Sequence, residues 1–429
     1  MPRHIKSAPG LPPDAQTGIR DSVEIMLARI RLGGAATVLD YAARLDGWSG
    51  PVIVTPEDIA AAAAQIPPPL KDALHYAHDN IRAFALAQRA SLTEFETELR
   101  PGLVAGQKVI PVASAGCYVP GGRYAHIASA LMTIATAKAA GVTHITACAP
   151  PRTGAIDPAT LYAMHLAGAD TILTLGGVQA IAAMAFGLFG TPEADILCGP
   201  GNAYVAEAKR QLYGPTGIDM VAGPTDIAIL ADATANPQRL ALDLIGQAEH
   251  GPTSPCWLIT DDARTAEATL HAIPRTLALL PEPNRAAACA AWEAMGEILL
   301  CETREEMAQT ADRYAPEHLH VQAQDLPWWQ DRLQNYGSLF LGAESTVAFG
   351  DKASGPNHVL PTSRAARHTS GLSVHKFLKT VTYQRVTQAA LPDLAKATAT
   401  ISRAEGMTGH ALTAEARLPQ APVPKVVNG

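Results

Sequence analysis

An α/β fold is predicted for this 429-residue chain by three features. Short apolar runs alternate with helical patterns between residues 109 and 228, as parallel strands alternate with crossover helices. Glycine-rich turns fall where runs give way to helices. Before the alternation begins, the apolar spacing is helical throughout, so the α/β part has a helical lead-in.

The lead-in starts with Val23, Met26, Leu27 and Ile30, whose spacing predicts a helix over 19–41. Thr55-Pro56-Glu57-Asp58 predicts the next helix start. Thr55 suits the N-cap, Pro56 the first turn, and Asp58 stands three residues on, close to a capping box. Leu70, Leu74, Ala77, Ile81 and Phe84 form a stripe that predicts one long helix over 70–99. This region carries no chemistry and reads as a packing and dimer platform. Strands are then expected at 109–112, 145–148, 171–175, 195–198 and 227–231. Helices are expected at 126–140, 158–166, 178–186 and 203–212, and another follows residue 231. Near the C-terminus, helices are expected over 389–404 and 408–417, with a frayed end at 420–429.

Charge and composition narrow the function. The net charge is −7 with no basic block, which argues against nucleic acid as a partner. Six scattered cysteines form no C-x-x-C pair, so neither a disulfide framework nor a cysteine zinc site is expected. Residues 1–16 lack an apolar leader core, and no run suits a membrane span. The expectation is a cytoplasmic protein with reduced thiols.

Three loops can approach an anion: Cys117-Tyr118-Val119-Pro120-Gly121-Gly122, Gly176-Gly177-Val178-Gln179 and Gly199-Pro200-Gly201-Asn202. Each is glycine-rich and precedes a helix, where backbone N–H groups face outward. None is a G-x-G-x-x-G fingerprint, and tight turns would explain them equally. Between Gly350 and Thr362 stand Asp351, Lys352, Asn357 and His358, punctuated by glycine and proline, so this stretch is expected to be a loop. Asp351 and His358 are a donor pair that zinc or manganese accepts. Gln247 and His250 stand three apart on an expected helix and share one face. Glu317 and His318 are adjacent general acid–base types. If that stretch is helical, they point about 100° apart.

Taken together and in order, Gly199-Pro200-Gly201-Asn202-Ala203-Tyr204-Val205-x-Glu207-Ala208-Lys209, Gln247-Ala248-Glu249-His250, Ala315-Pro316-Glu317-His318-Leu319, Asp351 to Thr362, and Glu405-Gly406-Met407-Thr408-Gly409-His410 resemble the histidinol dehydrogenase family over nearly the whole chain. The resemblance implies two related, incomplete Rossmann-like domains and a small helical C-terminal tail swapped across a homodimer. It places the first domain at 17–117 and 229–372, the NAD-binding second domain at 118–228, and the dimer-crossing tail at 373–429, after an extension at 1–16. It also implies NAD and zinc as cofactors, with a primary alcohol oxidised to a carboxylate in two steps. By the same carry-over, Gln247, His250, Asp351 and His410 are zinc ligands, the last from the other chain with Glu405 beside it. Glu317 and His318 are catalytic, Thr225 and His358 touch substrate, and Tyr118, Gln179 and Asn202 contact NAD.

The chain departs from the family pattern in charge. Val347 stands where the family carries a glutamate near the substrate's ammonium, and Lys352 follows the zinc aspartate. Arg364, Arg367, His368, His375 and Lys376 add further cationic groups. Negative charge is lost and positive gained, so an anionic substrate is expected. The stretches 117–129 and 376–384 resemble the sulfopropanediol dehydrogenase branch of the family, which oxidises 2,3-dihydroxypropane-1-sulfonate to sulfolactate. Lys352, Arg367 and His375 are the candidate sulfonate-binding groups, with Arg123 a fourth. The other readings are oxidation of L-histidinol to L-histidine and a catalytically silent metal-binding relative.

Overall fold

The computed structural model describes residues 2–10, 18–121, 125–152, 154–221 and 223–419. Arg123 and the 420–429 end therefore lie outside the described residues. The described chain forms two compact units: residues up to 89 with 112–377, and residues 90–111 with those from 378 onward.

In chain order the strands are β1 (Arg3–Lys6), β2 (Phe95–Arg100), β3 (Leu103–Pro111), β4 (Ser114–Tyr118), β5 (His144–Ala149), β6 (Thr171–Thr174) and β7 (Ile196–Cys198). They continue with β8 (Gly217–Ile218), β9 (Ile227–Ala231), β10 (Cys256–Thr260), β11 (Gly296–Leu300), β12 (His318–Gln322), β13 (Ser338–Leu341) and β14 (Leu378–Val386). The larger unit holds two sheets. One is wholly parallel in the order β6-β5-β4-β7-β8. The other runs β1-β11-β10-β9-β12-β13, parallel except for the antiparallel edge strand β1. Numbered from its own first central strand, each parallel set has the order 3-2-1-4-5. That is the doubly wound order short of its sixth strand, so the two incomplete Rossmann-like halves are present. The order reverses between β4 and β7 and again between β9 and β12.

Period-two alternation builds the core of the six-stranded sheet. Ile227 and Ile229 of β9 face Leu240, Leu244 and Ile245 of the helix Pro237–Ala248. Ala228 and Leu230 face the other way, toward Met307, Ala311 and Trp329. In the five-stranded sheet, Leu173 and Leu197 pack with Ile181 and Met184 of the helix Gly177–Ala185 and with Val23, Leu27 and Ile30 of the first helix. Each fully buried Leu or Ile contributes about 1.5–3 kcal/mol. No helix among the described residues is long and apolar enough to cross a membrane.

The helix Ile19–Tyr41 has the expected limits, and Thr55 and Asp58 form a reciprocal capping box on the helix Pro56–Gln65. The single helix expected over 70–99 is corrected: it spans Pro68–Ala90, and β2 follows. Pro101-Gly102 turns β2 back onto β3, with Gly102 at φ 81°, and the antiparallel ladder outcompetes helix propensity beyond Ala90. The strand expected at 109–112 belongs to this ladder, a three-stranded sheet β14-β3-β2 in the smaller unit, and not to a parallel sheet. The parallel sheet opens on β4, whose Ser-Ala-Gly-Cys-Tyr run lacks a β-branched signal. The loop expected around Asp351 is also partly corrected, because a short helix, Val347–Lys352, ends there before the chain becomes irregular.

Candidate active site

Thr225 and Asp226 immediately precede β9, and Glu317 immediately precedes β12. The two strands are parallel neighbours with His318 in register with Ile227, so their amino ends bring these groups together. The Glu317 N–H donates to Asp226 Oδ1 at 2.7 Å, and the Asp226 N–H donates back to Glu317 Oε2 at 3.1 Å. Thr225 Oγ1 also donates to Glu317 Oε2. Glu317 and His318 thus lie at a strand entrance, not on a helix, and face one cluster. Burial pushes the Glu317 carboxyl above its usual range. Burial also raises Asp226, and the nearby Glu317 charge adds to it, to about 7.

His318 Nδ1 lies 2.8 Å from the Asp226 carbonyl oxygen and donates to it. That bond leaves Nε2 as the ring's other nitrogen, and this atom is buried without a hydrogen-bond partner. Asp351 Oδ1 is 3.6 Å from His318 Nε2, too long for a hydrogen bond. The other Asp351 oxygen is 3.8 Å from His250 Nε2. Burial opposes charge on both His318 and Asp351, but their mutual attraction prevails. With Glu317 it lifts His318 to about 9, and with His358 and Lys352 it holds Asp351 well below the usual carboxylate range. A cation seated beside Asp351 would oppose the rise at His318.

Gln247 sits in the last turn of the helix Pro237–Ala248, and His250 follows just past its end. Gln247 Nε2 donates to Thr225 Oγ1 at 2.6 Å, which turns its amide oxygen away from that hydroxyl. His358 Nδ1 donates to the Asp351 carbonyl at 2.8 Å, so its Nε2 accepts from Ser129 Oγ at 3.0 Å. Gln247, His250, Asp351, Lys352 and His358 line one cavity of about 530 Å3. Its donor set suits zinc: the Asp351 carboxylate, the His250 imidazole and the Gln247 amide carbonyl, beside the buried, unpartnered His318 Nε2. These three donors fall short of a four-ligand zinc site. No three His, Cys, Asp or Glu side chains among the described residues form a metal group by themselves. His410 and Glu405 are exposed in the smaller unit, at the start of the helix Thr408–Glu415 and just after the helix Leu391–Ala404.

Tyr118, Gln179 and Asn202 gather at the carboxyl ends of β4, β6 and β7, on both sides of that sheet's reversal point. Tyr118 Oη accepts the Gly177 N–H at 3.2 Å. Asp46, distant in sequence, accepts from Gly176 N–H at 3.0 Å and from Gln179 Nε2 at 2.9 Å. Gln179 Oε1 is buried and unpartnered. Asn202 caps the helix Ala203–Leu212 through the N–H groups of Tyr204 and Val205. Gly199 has φ 112°, and a Cβ there would lie 2.0 Å from the Tyr118 carbonyl oxygen, so only glycine fits. Beneath this turn Lys209 and Asp219 form a buried ion pair. Lys209 Nζ donates to the Gly199 carbonyl at 2.9 Å, and Asp219 Oδ2 accepts the Gly199 N–H at 2.8 Å.

Of the candidate sulfonate-binding cations, Lys352 lines the cavity. Arg367 and His375 are exposed side chains on the single turns Ala365–Arg367 and Val374–Phe377, and are not among its lining residues. Sequence reasoning missed Asp226, Asp46, Ser129, Lys209 and Asp219. Their bonds cross between strands and crossovers; Asp226 had a readable cue in the break Gly223-Pro224 before a strand, and Lys209 and Ser129 stood in quoted stretches without an assigned role.

Twin parallel sheets with an acid–base cluster at the strand entrances of one and polar turns at the strand exits of the other define an α/β enzyme. The histidinol dehydrogenase family model matches residues 12–418, and the chain belongs to that family of dehydrogenases. A "histidinol dehydrogenase homolog" of Ruegeria pomeroyi is 69% identical over 96% of each chain. The "sulfopropanediol 3-dehydrogenase" of the same organism is 59% identical, covering 93% of this chain and 92% of its own. The crystal structure of histidinol dehydrogenase from Elizabethkingia anophelis superposes with a TM-score of 0.90 at 33% identity, covering 95% of this chain and 94% of that one.

Proposed function

We propose that the chain catalyses the NAD- and zinc-dependent four-electron oxidation of 2,3-dihydroxypropane-1-sulfonate to sulfolactate through an aldehyde held in the site. The observation that carries the substrate choice is the cavity wall. Val347, in place of a carboxylate, and Lys352 line the same cavity as His250 and Asp351, so the charge reversal falls where a substrate would sit. The 59% identical sulfopropanediol 3-dehydrogenase supports the same choice.

Gln247, His250 and Asp351, with His410 of the partner subunit, would hold zinc, and the loops at Tyr118, Gln179 and Asn202 would hold NAD. When bound, zinc supplies a Lewis acid for the substrate oxygen and NAD the acceptor for each hydride. His318 takes the hydroxyl proton on Nε2, with its ring fixed by the bond from Nδ1 to Asp226. Glu317, oriented by Thr225 and the Asp226 N–H, removes a proton from the water that adds to the aldehyde carbon. His318 then takes a hydroxyl proton from the hydrate. Per substrate, two hydrides leave, one water is consumed and three protons are released as the carboxylate forms. The aldehyde stays bound between the steps, which keeps a reactive carbonyl from escaping. The smaller unit supports a dimeric assembly. Phe95, Leu99, Val386, Ile401, Met407 and Leu412 are all exposed there, more apolar surface than an isolated element usually carries.

The test is NADH yield from the zinc-loaded protein, with the racemic sulfonate and L-histidinol assayed side by side. The expected result is about two NADH per sulfonate consumed, with sulfolactate as product, and no turnover of histidinol. Turnover of histidinol alone would overturn the substrate assignment.

A further inference from the structure

We infer that His126, Lys352 and the first turn of the helix Ile127–Ala140 form the subsite for the substrate's anionic group, the sulfonate of a three-carbon diol. The inference rests on the proposed reaction and names donors that would make it selective.

The cavity is lined by two chemically different sets of groups. Gln247, His250 and Asp351 offer metal donors, and residues 126–129 with Lys352 offer N–H donors. His126 is the N-cap residue of its helix but gives no side-chain cap. Among the described residues, neither its ring nor the Lys352 ammonium makes a hydrogen bond or ion pair. Both therefore present donors to the cavity without a protein acceptor. Ser129 N–H is taken by the His126 carbonyl at 3.0 Å, so the 14-residue helix adds the N–H groups of Ile127 and Ala128 and the positive end of its dipole. Burial, followed by His358, His250, Lys352 and Arg152, pushes His126 down to about 4. In either protonation state the ring carries an N–H donor.

Of the three lining carboxylates, Asp351 stands with the proposed zinc ligands and the other two are bonded to protein groups. Asp243 accepts from Gln322 at 2.6 Å and from Thr346 at 3.0 Å, and Glu249 accepts from Asn284 at 2.8 Å. Ser129 Oγ is bonded to His358, so the hydroxyl fixes that ring. A sulfonate matches what is left over: three acceptor oxygens and a permanent charge, against one ammonium, one imidazole N–H and the helix amides. A substrate ammonium in the same place would meet Lys352 and the helix dipole with the wrong sign.

The test uses the full-length, zinc-loaded protein and propane-1-sulfonate as a non-reacting probe in titration calorimetry. His126→Leu and Lys352→Met should each weaken the probe by about tenfold or more, the scale of a lost charged or buried hydrogen bond. Lys352→Arg keeps the charge and should stay within about threefold of wild type. With the diol sulfonate as substrate, KM should rise in the first two variants while kcat changes little. Rescue by arginine and the KM–kcat split would not follow from a merely structural role. Unaltered probe affinity in both the Leu and Met variants overturns the inference, as does a wild-type protein that ignores the probe. If the variants lose the probe but wild type does not oxidise the diol sulfonate, the subsite stands and the reaction assignment falls. If wild type oxidises it with two NADH while the variants bind the probe as before, the reverse holds.

Discussion

At the scale of single residues, the site depends on groups that sequence patterns do not reveal. Glu317 and His318 are legible as an acid–base pair, but what orients them is Asp226, whose backbone and side chain bond to both. Asp226 is also the residue with the clearest pH signature. In the folded chain burial and Glu317 hold its proton up to about 7, whereas an unfolded aspartate releases it near 4. Between those values the folded state binds the extra proton, so folding stability falls as pH rises. The difference of about three pH units sets a ceiling of roughly 4 kcal/mol on this contribution. Asp226→Asn keeps the oxygen that accepts the Glu317 N–H and removes the titration. Its stability relative to wild type should therefore improve between about pH 4 and about pH 7 and level off above, measured by urea unfolding. A difference that stays constant with pH would refute the assignment.

At the scale of elements, local chemistry that is complete within one turn was legible. Thr55 and Asp58 make their capping box, and the helix Ile19–Tyr41 follows its apolar spacing. Elements that depend on distant partners were not. β2 continues from a helix-compatible sequence, and only its ladder with β3 makes it a strand. β4 has weak strand propensity and is fixed by burial between β5 and β7. The Gly199 turn shows the same dependence. Its glycines were readable, but the buried pair of Lys209 and Asp219 that holds it comes from the following helix and the strand beyond. Lys209→Met leaves Asp219 buried without its partner charge. The variant should lose about 3–5 kcal/mol of stability, read from urea unfolding. Its affinity for NAD should fall as the turn loosens, read by NADH fluorescence titration. Unchanged NAD affinity in a destabilised variant would limit the pair to a folding role.

At the scale of the whole molecule, the α/β class was readable from alternation and the two incomplete Rossmann-like halves came from the family resemblance, whereas the 3-2-1-4-5 strand order is seen only in the structure. The reason is physical: strand order is set by which crossover packs on which face, and no local pattern encodes that. The symmetry of the proposed dimer yields a test of the tail. If His410 completes the site of the opposite chain, Asp351→Ala and His410→Ala homodimers should each be inactive. Unfolding and refolding them together should restore about a quarter of wild-type activity, because half of the dimers are mixed and each mixed dimer has one intact site. Absence of restoration, in mixtures shown by mass spectrometry to contain mixed dimers, would place His410 in its own chain's site.

The chemistry proposed for the six-stranded sheet lies at its strand entrances, at Thr225, Asp226 and Glu317. Its strand exits carry none of the residues assigned a role here. The turns at Ala233-Thr234 after β9 and Glu302-Thr303 after β11 are exposed at that opposite edge. They are natural attachment points for a fluorophore or an immobilisation tether, since a label there is separated from the acid–base cluster by the full length of a buried strand.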